Sequence, residues 1–276
     1  MEIVPLPQGF GAEVRGLDLS GPVLPETIVC LQAAYDEHHL LVFPRALRLS
    51  PARQAEIAGW FGPLGGDGMA PDQPWSFMDN RDAAGRAVLK FHCDMSPLEF
   101  PVEGISLHAV ELPRVPTSTT FVSNARAWDA LDPALQAELR GMKALHHYGE
   151  AISLALRWPL LEHWHPVCLK HPHTGRELLF VTEYHTVQLD DLPPDRNTAL
   201  LEQLFALLYA PAMRYEHVWQ LGDLVVWDSL AVQHARTREA DPADGPRVLQ
   251  RVSLGAHSIG SQIAEAARQQ GLQPVA

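Results

Sequence analysis

The stretch GDLVVWDSLAVQHARTREADPADGPRVLQRVSLGA, residues 222–256, carries the pattern that decides the fold. Gly222-Asp223 is a turn signal, and the apolar run Val225–Trp227 that follows is typical of a buried strand. VQHAR and RVLQRVSLGA are two further strand patterns, separated by a turn that contains Pro and Gly. Short strands joined by turns predict a β-structure in this part of the chain.

Similar strand patterns occur in the middle of the chain, in AVLKFHCD, GISLHAVEL and STTFVS. Helical patterns lie around them: SPARQAEIAGWFGPLG begins at Ser-Pro and ends at Gly-Pro, and DRNTALLEQLFALLYAP carries leucines on one face. We expect a mainly β protein with flanking helices (α+β), built on a double-stranded β-helix, or jelly roll. The chain has no GxGxxG or GxxxxGK[ST] loop, which argues against a nucleotide cofactor.

The chain has 276 residues, a length that fits one large β domain over residues 1–276. Residues 65–87 are rich in Gly, Asp, Pro and Asn, and we expect a long active-site loop there. Residues 124–205 are expected to form a largely helical insert in the β-structure.

Composition narrows the class of protein. Hydrophobic residues make up 46% and charged residues 20%, which indicates a globular chain with a core, and the net charge is -12. An acidic chain without a basic run argues against binding to nucleic acid or to a membrane. The three cysteines form no CxxC pair, and no signal peptide or membrane-spanning segment is apparent, so a cytoplasmic protein is expected.

A histidine and an aspartate lie two positions apart in LKFHCDMSP, at His92 and Asp94. On a strand these two side chains point to one side while Cys93 points away, and His234 in VQHAR would complete a set of two imidazoles and one carboxylate. Spacing alone favours the interpretation of His92 and Asp94 as surface polar residues over metal ligands. The histidine-rich segment HWHPVCLKHPH, residues 163–173, is a competing metal site, but it contains no acidic residue.

Two arginines follow His234 on the last predicted strand, at Arg247 and Arg251. They are four residues apart, so both are expected on one face of that strand. An arginine fork suits a carboxylate, and two inward arginines would be costly unless each met an anion. A solvent-facing charged stripe remains open.

Seven segments together resemble the taurine dioxygenase and chlorophenoxyacetate dioxygenase family of Fe(II)- and 2-oxoglutarate-dependent oxygenases. They occur in the family's order from Gly9 to Ala256. The segments are GFGAEVRGLDLSGPV, LLVFPRALRLSPARQAEIAGWFGPLG, FHCDMSP, STTFVSNARAWDAL, HPHTGRELLFVTEYHT, GDLVVWDSLAVQHAR and PRVLQRVSLGA.

The resemblance implies a role for each candidate residue. It implies that His92, Asp94 and His234 bind iron, and that Thr119 and Arg247 bind 2-oxoglutarate. It also implies that Arg251 meets an anionic group of the substrate. Ser229 stands where the family commonly has Asn, and the 65–87 loop shows no match to the taurine enzymes' substrate residues.

The expected function is an oxygenase that uses Fe(II), 2-oxoglutarate and O2 to hydroxylate a C–H bond of a small organic substrate, a carboxylate or sulfonate, and releases succinate and CO2. Desaturation, epoxidation or cyclisation with the same cofactors remains open. So do a non-redox metal hydrolase and a binding protein. The resemblance further implies a homo-oligomer, either a dimer or a tetramer.

Overall fold

Two large β-sheets form the centre of the molecule in a computed structural model that describes residues 1–47, 49–65 and 73–272. The strands in chain order are β1 (Glu2–Pro5), β2 (Ala12–Arg15), β3 (Leu40–Phe43), β4 (Leu64–Gly65), β5 (Ser76–Asp79), β6 (Leu89–His92), β7 (Gly104–Glu111), β8 (Ser118–Ser123), β9 (Lys143–His147), β10 (Glu162–Pro166), β11 (Cys168–Lys170), β12 (Glu177–Leu179), β13 (Thr186–Leu189), β14 (Arg214–Val218), β15 (Leu224–Asp228), β16 (Val232–Arg236) and β17 (Val248–Leu254). The helices are α1 (Pro25–His38), α2 (Pro51–Ala58), α3 (Ala83–Arg86), α4 (Asn124–Asp129), α5 (Pro133–Leu139), α6 (Glu150–Leu156), α7 (Pro194–Leu208) and α8 (Ile259–Gln269).

The larger sheet has eight strands in the order β1-β2-β3-β15-β7-β17-β4, with β5 also paired to β17. The smaller sheet has the order β14-β8-β16-β6. Strands that are distant in sequence lie side by side in both sheets, as a jelly roll requires. The prediction of a mainly β fold with flanking helices on a double-stranded β-helix is confirmed.

The main core lies between the two large sheets. Trp227 from the larger sheet meets Phe121 from the smaller one with ring centroids 5.2 Å apart, and both side chains are fully buried. Strand β15 is apolar throughout because its alternate residues pack into two different hydrophobic clusters, one on each face of the sheet. Val225 faces the core between the sheets and Val226 packs under helix α1, so the strand is covered on both faces.

The segment 124–205, for which a largely helical insert is predicted, contains both helices and strands. Helices α4 to α7 alternate there with strands β9 to β13, which form a three-stranded and a two-stranded sheet. The strands are short and carry several histidines, so their apolar alternation is weak in the sequence. Pairing between them, which is a tertiary effect, stabilises them.

The predicted loop at 65–87 lies only partly within the described residues, because 66–72 are outside them. From residue 73 onward it contains strand β5, which pairs with β17, and the short helix α3. The predicted loop thus contains regular structure at residues 76–79 and 83–86, and its role at the active site stays a prediction. No helix among the described residues has both the length and the apolar character to cross a membrane.

Candidate metal centre

The two candidate imidazole ligands lie on neighbouring strands of the smaller sheet. His92 ends β6, His234 is in the middle of β16, and the two are direct cross-strand partners. Directly opposed residues of an antiparallel pair point to the same face, and the two ring centroids are 4.3 Å apart. Strand pairing therefore brings together two histidines that are far apart in the sequence.

Asp94 reaches the same point from a turn. Strand β6 ends at His92, so the predicted strand geometry for Asp94 is wrong, although its carboxylate does converge on the histidines. Oδ1 of Asp94 lies 3.2 Å from Nε2 of His92 and 3.6 Å from Nε2 of His234. The backbone N–H of Asp94 donates to Oγ of Ser229 at 3.3 Å, and Met95 follows with a left-handed φ of 58°. The turn replaces the strand as the element that aims the carboxylate.

The donor atoms of this triad, one from each residue, all lie within 4.8 Å of one another. Two imidazoles and one carboxylate are the donor set of mononuclear non-haem iron(II) sites, with the remaining positions open. Nδ1–H of His92 donates to the carbonyl of Lys90 at 2.7 Å, which leaves Nε2 as the ligand atom. The residues present thus fit an iron(II) ion.

The electrostatics of the triad also suit a cation. Burial alone would raise the pKa of Asp94, but the hydrogen bond from His92 and the charges of His234 and Arg251 hold that pKa well below its ordinary value. Burial, together with the charge of His92, lowers the pKa of His234 to about 3. An ionised carboxylate beside a neutral imidazole is the state that a metal requires.

Cys93 lies between two of these ligands but is a packing residue, as predicted. Its side chain is fully buried in the core between the sheets, and Asn124 Nδ2 donates to its sulfur at 3.6 Å. Burial raises the pKa of its thiol, so the thiolate needed for metal binding is disfavoured.

The competing histidine segment, residues 163–173, does not assemble a metal-binding group. Within the part of the chain that the structure describes, the triad is the one cluster of three such donors. Nε2 of His165 donates to the carbonyls of Ser96 and Leu98, each at 2.9 Å, and Nε2 of His171 donates to Asp228 at 2.7 Å. These ring nitrogens already donate hydrogen bonds to other groups of the protein.

Thr119 lies further along the smaller sheet, on strand β8. Phe121 is the cross-strand partner of His234, and Thr119, two residues earlier on β8, shares its face. Nε1 of Trp219 donates to Oγ1 of Thr119 at 3.0 Å, which leaves the hydroxyl proton of Thr119 for another acceptor.

Arg247 lies one residue before β17, and its Nε donates to Oγ1 of Thr117 at 3.0 Å. The side chain is only 2% exposed, and Nη1 is buried with no hydrogen-bond partner among the described residues. Burial, followed by the charge of Arg236, lowers the pKa of Arg247 to about 10, so it remains a cation at neutral pH. A buried guanidinium with an unused N–H group is costly without an anion, and its contact residue Thr117 lies two positions before Thr119.

Arg251 contacts the triad itself. It is in the middle of β17, and its Nη2 donates to Oδ2 of Asp94 at 2.8 Å. The two side chains are 16% and 17% exposed, so the pair lies at the edge of the open side of the site. The predicted contact with an anionic substrate stays a prediction, whereas the contact with Asp94 was not expected.

Sequence reasoning missed an aromatic wall on the insert side of the triad, formed by Tyr148, Trp158, Tyr184 and His185. The rings of Tyr184 and His185 lie 5.6 Å and 5.9 Å from the ring of His92. Tyr148 contacts His185 at 4.7 Å and Trp158 at 5.9 Å. The sequence gives no signal for this wall, because its four residues come from two separate segments. The fold of the insert brings them together.

Comparison with known proteins agrees with this geometry. The family model of the taurine catabolism dioxygenase TauD, TfdA family matches residues 2–253. The (S)-phenoxypropionate/alpha-ketoglutarate-dioxygenase of Sphingobium herbicidovorans is 30% identical over 259 residues, covering 86% of this chain and 89% of that protein. The alpha-ketoglutarate-dependent 2,4-dichlorophenoxyacetate dioxygenase of Cupriavidus pinatubonensis is 29% identical over 270 residues, covering 85% and 91%.

Among solved structures, a taurine dioxygenase from Burkholderia xenovorans superposes with a TM-score of 0.81 at 23% identity, covering 93% of this chain and 91% of that one. That likeness supports the jelly-roll fold. With a family model that spans nearly the whole sequence, the chain belongs to the taurine catabolism dioxygenase TauD, TfdA family.

Proposed function

We propose that the protein is an Fe(II)- and 2-oxoglutarate-dependent oxygenase that hydroxylates a C–H bond of a small, anionic organic substrate. One oxygen atom of O2 enters the product and the other enters succinate, while the first carboxyl group of 2-oxoglutarate leaves as CO2. The observation that carries the proposal is the convergence of His92, Asp94 and His234 on one point at the inner face of the sheet. Family membership adds an independent argument.

In this proposal the triad holds iron through Nε2 of each histidine and a carboxylate oxygen of Asp94. Bound iron supplies the redox chemistry of O2 and the coordination positions for 2-oxoglutarate. The protein fixes the ligands: Lys90 orients the ring of His92, and the Oγ of Ser229 holds the turn that carries Asp94. Ligands fixed in advance reduce the reorganisation that metal binding demands.

Arg247 and Thr119 would bind the far carboxylate of 2-oxoglutarate. Arg247 Nη1 is a buried donor without a partner among the described residues, and the hydroxyl proton of Thr119 is not needed for its bond with Trp219. A guanidinium and a hydroxyl that both donate to one carboxylate set the direction of the co-substrate. Held in this way, 2-oxoglutarate would present its keto acid end to the metal.

The substrate would lie between the aromatic wall and Arg251. Tyr148 and Tyr184 supply an apolar surface beside His92, and Arg251 supplies a cation at the open edge of the triad. A molecule with an apolar body and a carboxylate or sulfonate satisfies both features. Phenoxypropionate and dichlorophenoxyacetate, named for two relatives, have this character.

We also propose that residues 1–276 work as one domain in a cytoplasmic homo-oligomer, either a dimer or a tetramer. The family model spans 2–253, and all three cysteines are free, as is usual in a reducing compartment. Light scattering on the eluting protein after gel filtration measures the oligomeric state, and a monomer would refute that part.

The central test measures O2 uptake and succinate formation with Fe(II), 2-oxoglutarate and a panel of aryl and alkyl carboxylates and sulfonates. We expect succinate to form in step with a product that has gained one oxygen atom, detected by mass spectrometry. A product that has lost two hydrogens would instead identify a desaturase. Substrate conversion without O2 and without 2-oxoglutarate would identify a hydrolase and overturn the proposal.

A further inference from the structure

Trp219 is a buried tryptophan directly after strand β14, and it contacts two threonines around the start of strand β8. Its indole Nε1–H donates to Oγ1 of Thr119 at 3.0 Å, and its backbone N–H donates to the carbonyl of Thr117 at 3.0 Å. The side chain packs in the core between the two large sheets. Oγ1 of Thr117 in turn accepts from Nε of Arg247. Trp219 therefore connects both groups that we assign to the far carboxylate of 2-oxoglutarate.

Trp219 is itself held in place by its neighbours. Oδ2 of Asp223 accepts from the backbone N–H of Gln220, the next residue, at 2.9 Å. The ring of His217 meets the indole of Trp219 at nearly a right angle, with centroids 4.6 Å apart, and Nε2 of His217 lies 3.2 Å from the same oxygen of Asp223. A tryptophan fixed at its backbone and at its ring has little freedom to turn its N–H away from Thr119.

The bond from the indole sets the role of the Thr119 hydroxyl. An indole N–H can only donate, so Oγ1 of Thr119 is the acceptor and its own proton points elsewhere. A hydroxyl held in this way is a fixed donor, and a carboxylate accepts its hydrogen bond more strongly than a neutral group does. Without the indole, the hydroxyl could rotate and act as donor or acceptor, which would weaken its preference for an anion.

Resting on the function proposed above, we propose that Trp219 is a positioning residue of the 2-oxoglutarate site, which acts through Thr119 to favour a keto acid with a second carboxylate. Trp219 does not need to touch the co-substrate in this role. Its indole fixes the Thr119 hydroxyl as a donor, and its backbone bond holds Thr117, the partner of Arg247. Selectivity for the co-substrate therefore depends on an N–H group outside the residues that contact it.

A pair of keto acids that differ at one group measures this selectivity. 2-Oxopentanoate has the carbon chain and keto acid end of 2-oxoglutarate, with a methyl group in place of the far carboxylate. Isothermal titration calorimetry on the full-length, Mn(II)-loaded protein without O2 gives the Kd of 2-oxoglutarate directly and that of 2-oxopentanoate by competition. The measurement needs no turnover.

The variants separate the N–H group from the packing of the ring. Trp219→Phe removes the donor and retains an aromatic ring, while Thr119→Val removes the hydroxyl, and the two are measured singly and together. Trp164→Phe, at an exposed tryptophan on strand β10, is the matched control. Trp219→Met also lacks the donor, and its flexible side chain adapts to the space, so it gives the same test if Trp219→Phe does not fold.

We expect Trp219→Phe to weaken 2-oxoglutarate binding about three- to tenfold and to change 2-oxopentanoate binding less than about twofold, because one directed hydrogen bond to the carboxylate is impaired. In protein that already carries Thr119→Val, Trp219→Phe should change the affinity for 2-oxoglutarate less than about twofold, since the hydroxyl that the indole directs is absent. Trp164→Phe should match the wild type.

Unchanged affinity for 2-oxoglutarate in Trp219→Phe would overturn the inference. Equal weakening of both keto acids would also overturn it, because it indicates a packing role only. A loss of the same size with and without Thr119→Val would show that Trp219 does not act through Thr119. Failure of the wild type to bind 2-oxoglutarate would instead refute the proposed function itself, so the two failures are distinguishable.

Discussion

His234 and His165 are both deeply buried histidines, and burial lowers the pKa of each, to about 3 and about 4. His234 lies on the jelly roll with Nε2 facing Asp94, whereas His165 lies in the insert sheet with Nε2–H donated to two backbone carbonyls. The two histidines are therefore alike in burial. They differ in the group that Nε2 of the ring faces. A nitrogen facing a carboxylate and a second imidazole remains usable by a metal, while one facing carbonyls is part of the fold.

The jelly roll and the insert also differ in which groups surround their histidines. In the insert, the rings of His146, His163 and His165 lie side by side in edge-on and tilted contacts, with centroids 5.3 Å and 4.7 Å apart for the neighbouring pairs. No acidic side chain completes this group into a set of metal donors among the described residues. Histidine density alone therefore predicts a metal site less well than one carboxylate placed between two imidazoles.

The largest expected effect is at Asp94. Asp94→Ala removes the carboxylate between His92 and His234, and we expect loss of metal binding and of succinate formation, because the two neutral imidazoles that remain supply neither a third ligand nor a negative charge. His165→Gln keeps a donor at the Nε2 position and should retain one metal per chain. Metal content after reconstitution, measured by atomic emission, checks both. Full metal content in Asp94→Ala, or its loss in His165→Gln, would reverse the assignment of the two regions.

Arg247 is a buried cation that we expect to bind the co-substrate and not the metal. Arg247→Gln should weaken 2-oxoglutarate binding about tenfold or more, since a charge-assisted hydrogen bond contributes roughly 1.5–3 kcal/mol. Metal content should stay at the wild-type level, because the arginine does not touch the triad. Titration of the Mn(II)-loaded protein with 2-oxoglutarate provides the measurement. Unchanged affinity would place the co-substrate elsewhere.

Arg251 differs from Arg247 because it touches a candidate metal ligand. Arg251→Gln should weaken binding of a carboxylate or sulfonate substrate several-fold and leave 2-oxoglutarate affinity within a factor of about two. The steady-state KM for each, measured on the best substrate of the panel, separates the two effects. If the KM for 2-oxoglutarate changes and that for the substrate does not, the roles of Arg247 and Arg251 are exchanged.

The jelly roll could be predicted from the sequence, because strand patterns are local signals. His92, Asp94 and His234 could be predicted as a set, because the segments that resemble the family are local signals too. It was insufficient for the turn that aims Asp94, since the same three letters suit a strand. The bond from Trp219 to Thr119 and the contact of Arg251 with Asp94 join residues more than ninety positions apart. Such contacts depend on strand order, which local patterns do not encode.

The smallest expected effect concerns pH and His165. Its folded-state pKa of about 4 lies below the unfolded value of about 6.5, so the unfolded chain binds the proton first as the pH falls. The free energy of unfolding should therefore fall between about pH 6.5 and pH 4, by up to ~1.4 kcal/mol per pH unit from this histidine, and show no contribution from it above pH 7.

His165→Gln removes this titration, so the stability of the variant should decrease less than that of the wild type from pH 7 to pH 5, by about 1–2 kcal/mol. Urea denaturation of the metal-free proteins at pH 8, 7 and 5 measures the difference, and the step from pH 8 to pH 7 is the internal control because the two slopes should agree there. Equal loss of stability in both proteins down to pH 5 would mean that His165 is charged in the folded state. Its nitrogen would then be as open to solvent or ligands as those of the triad, and the distinction between the two buried histidines would fail.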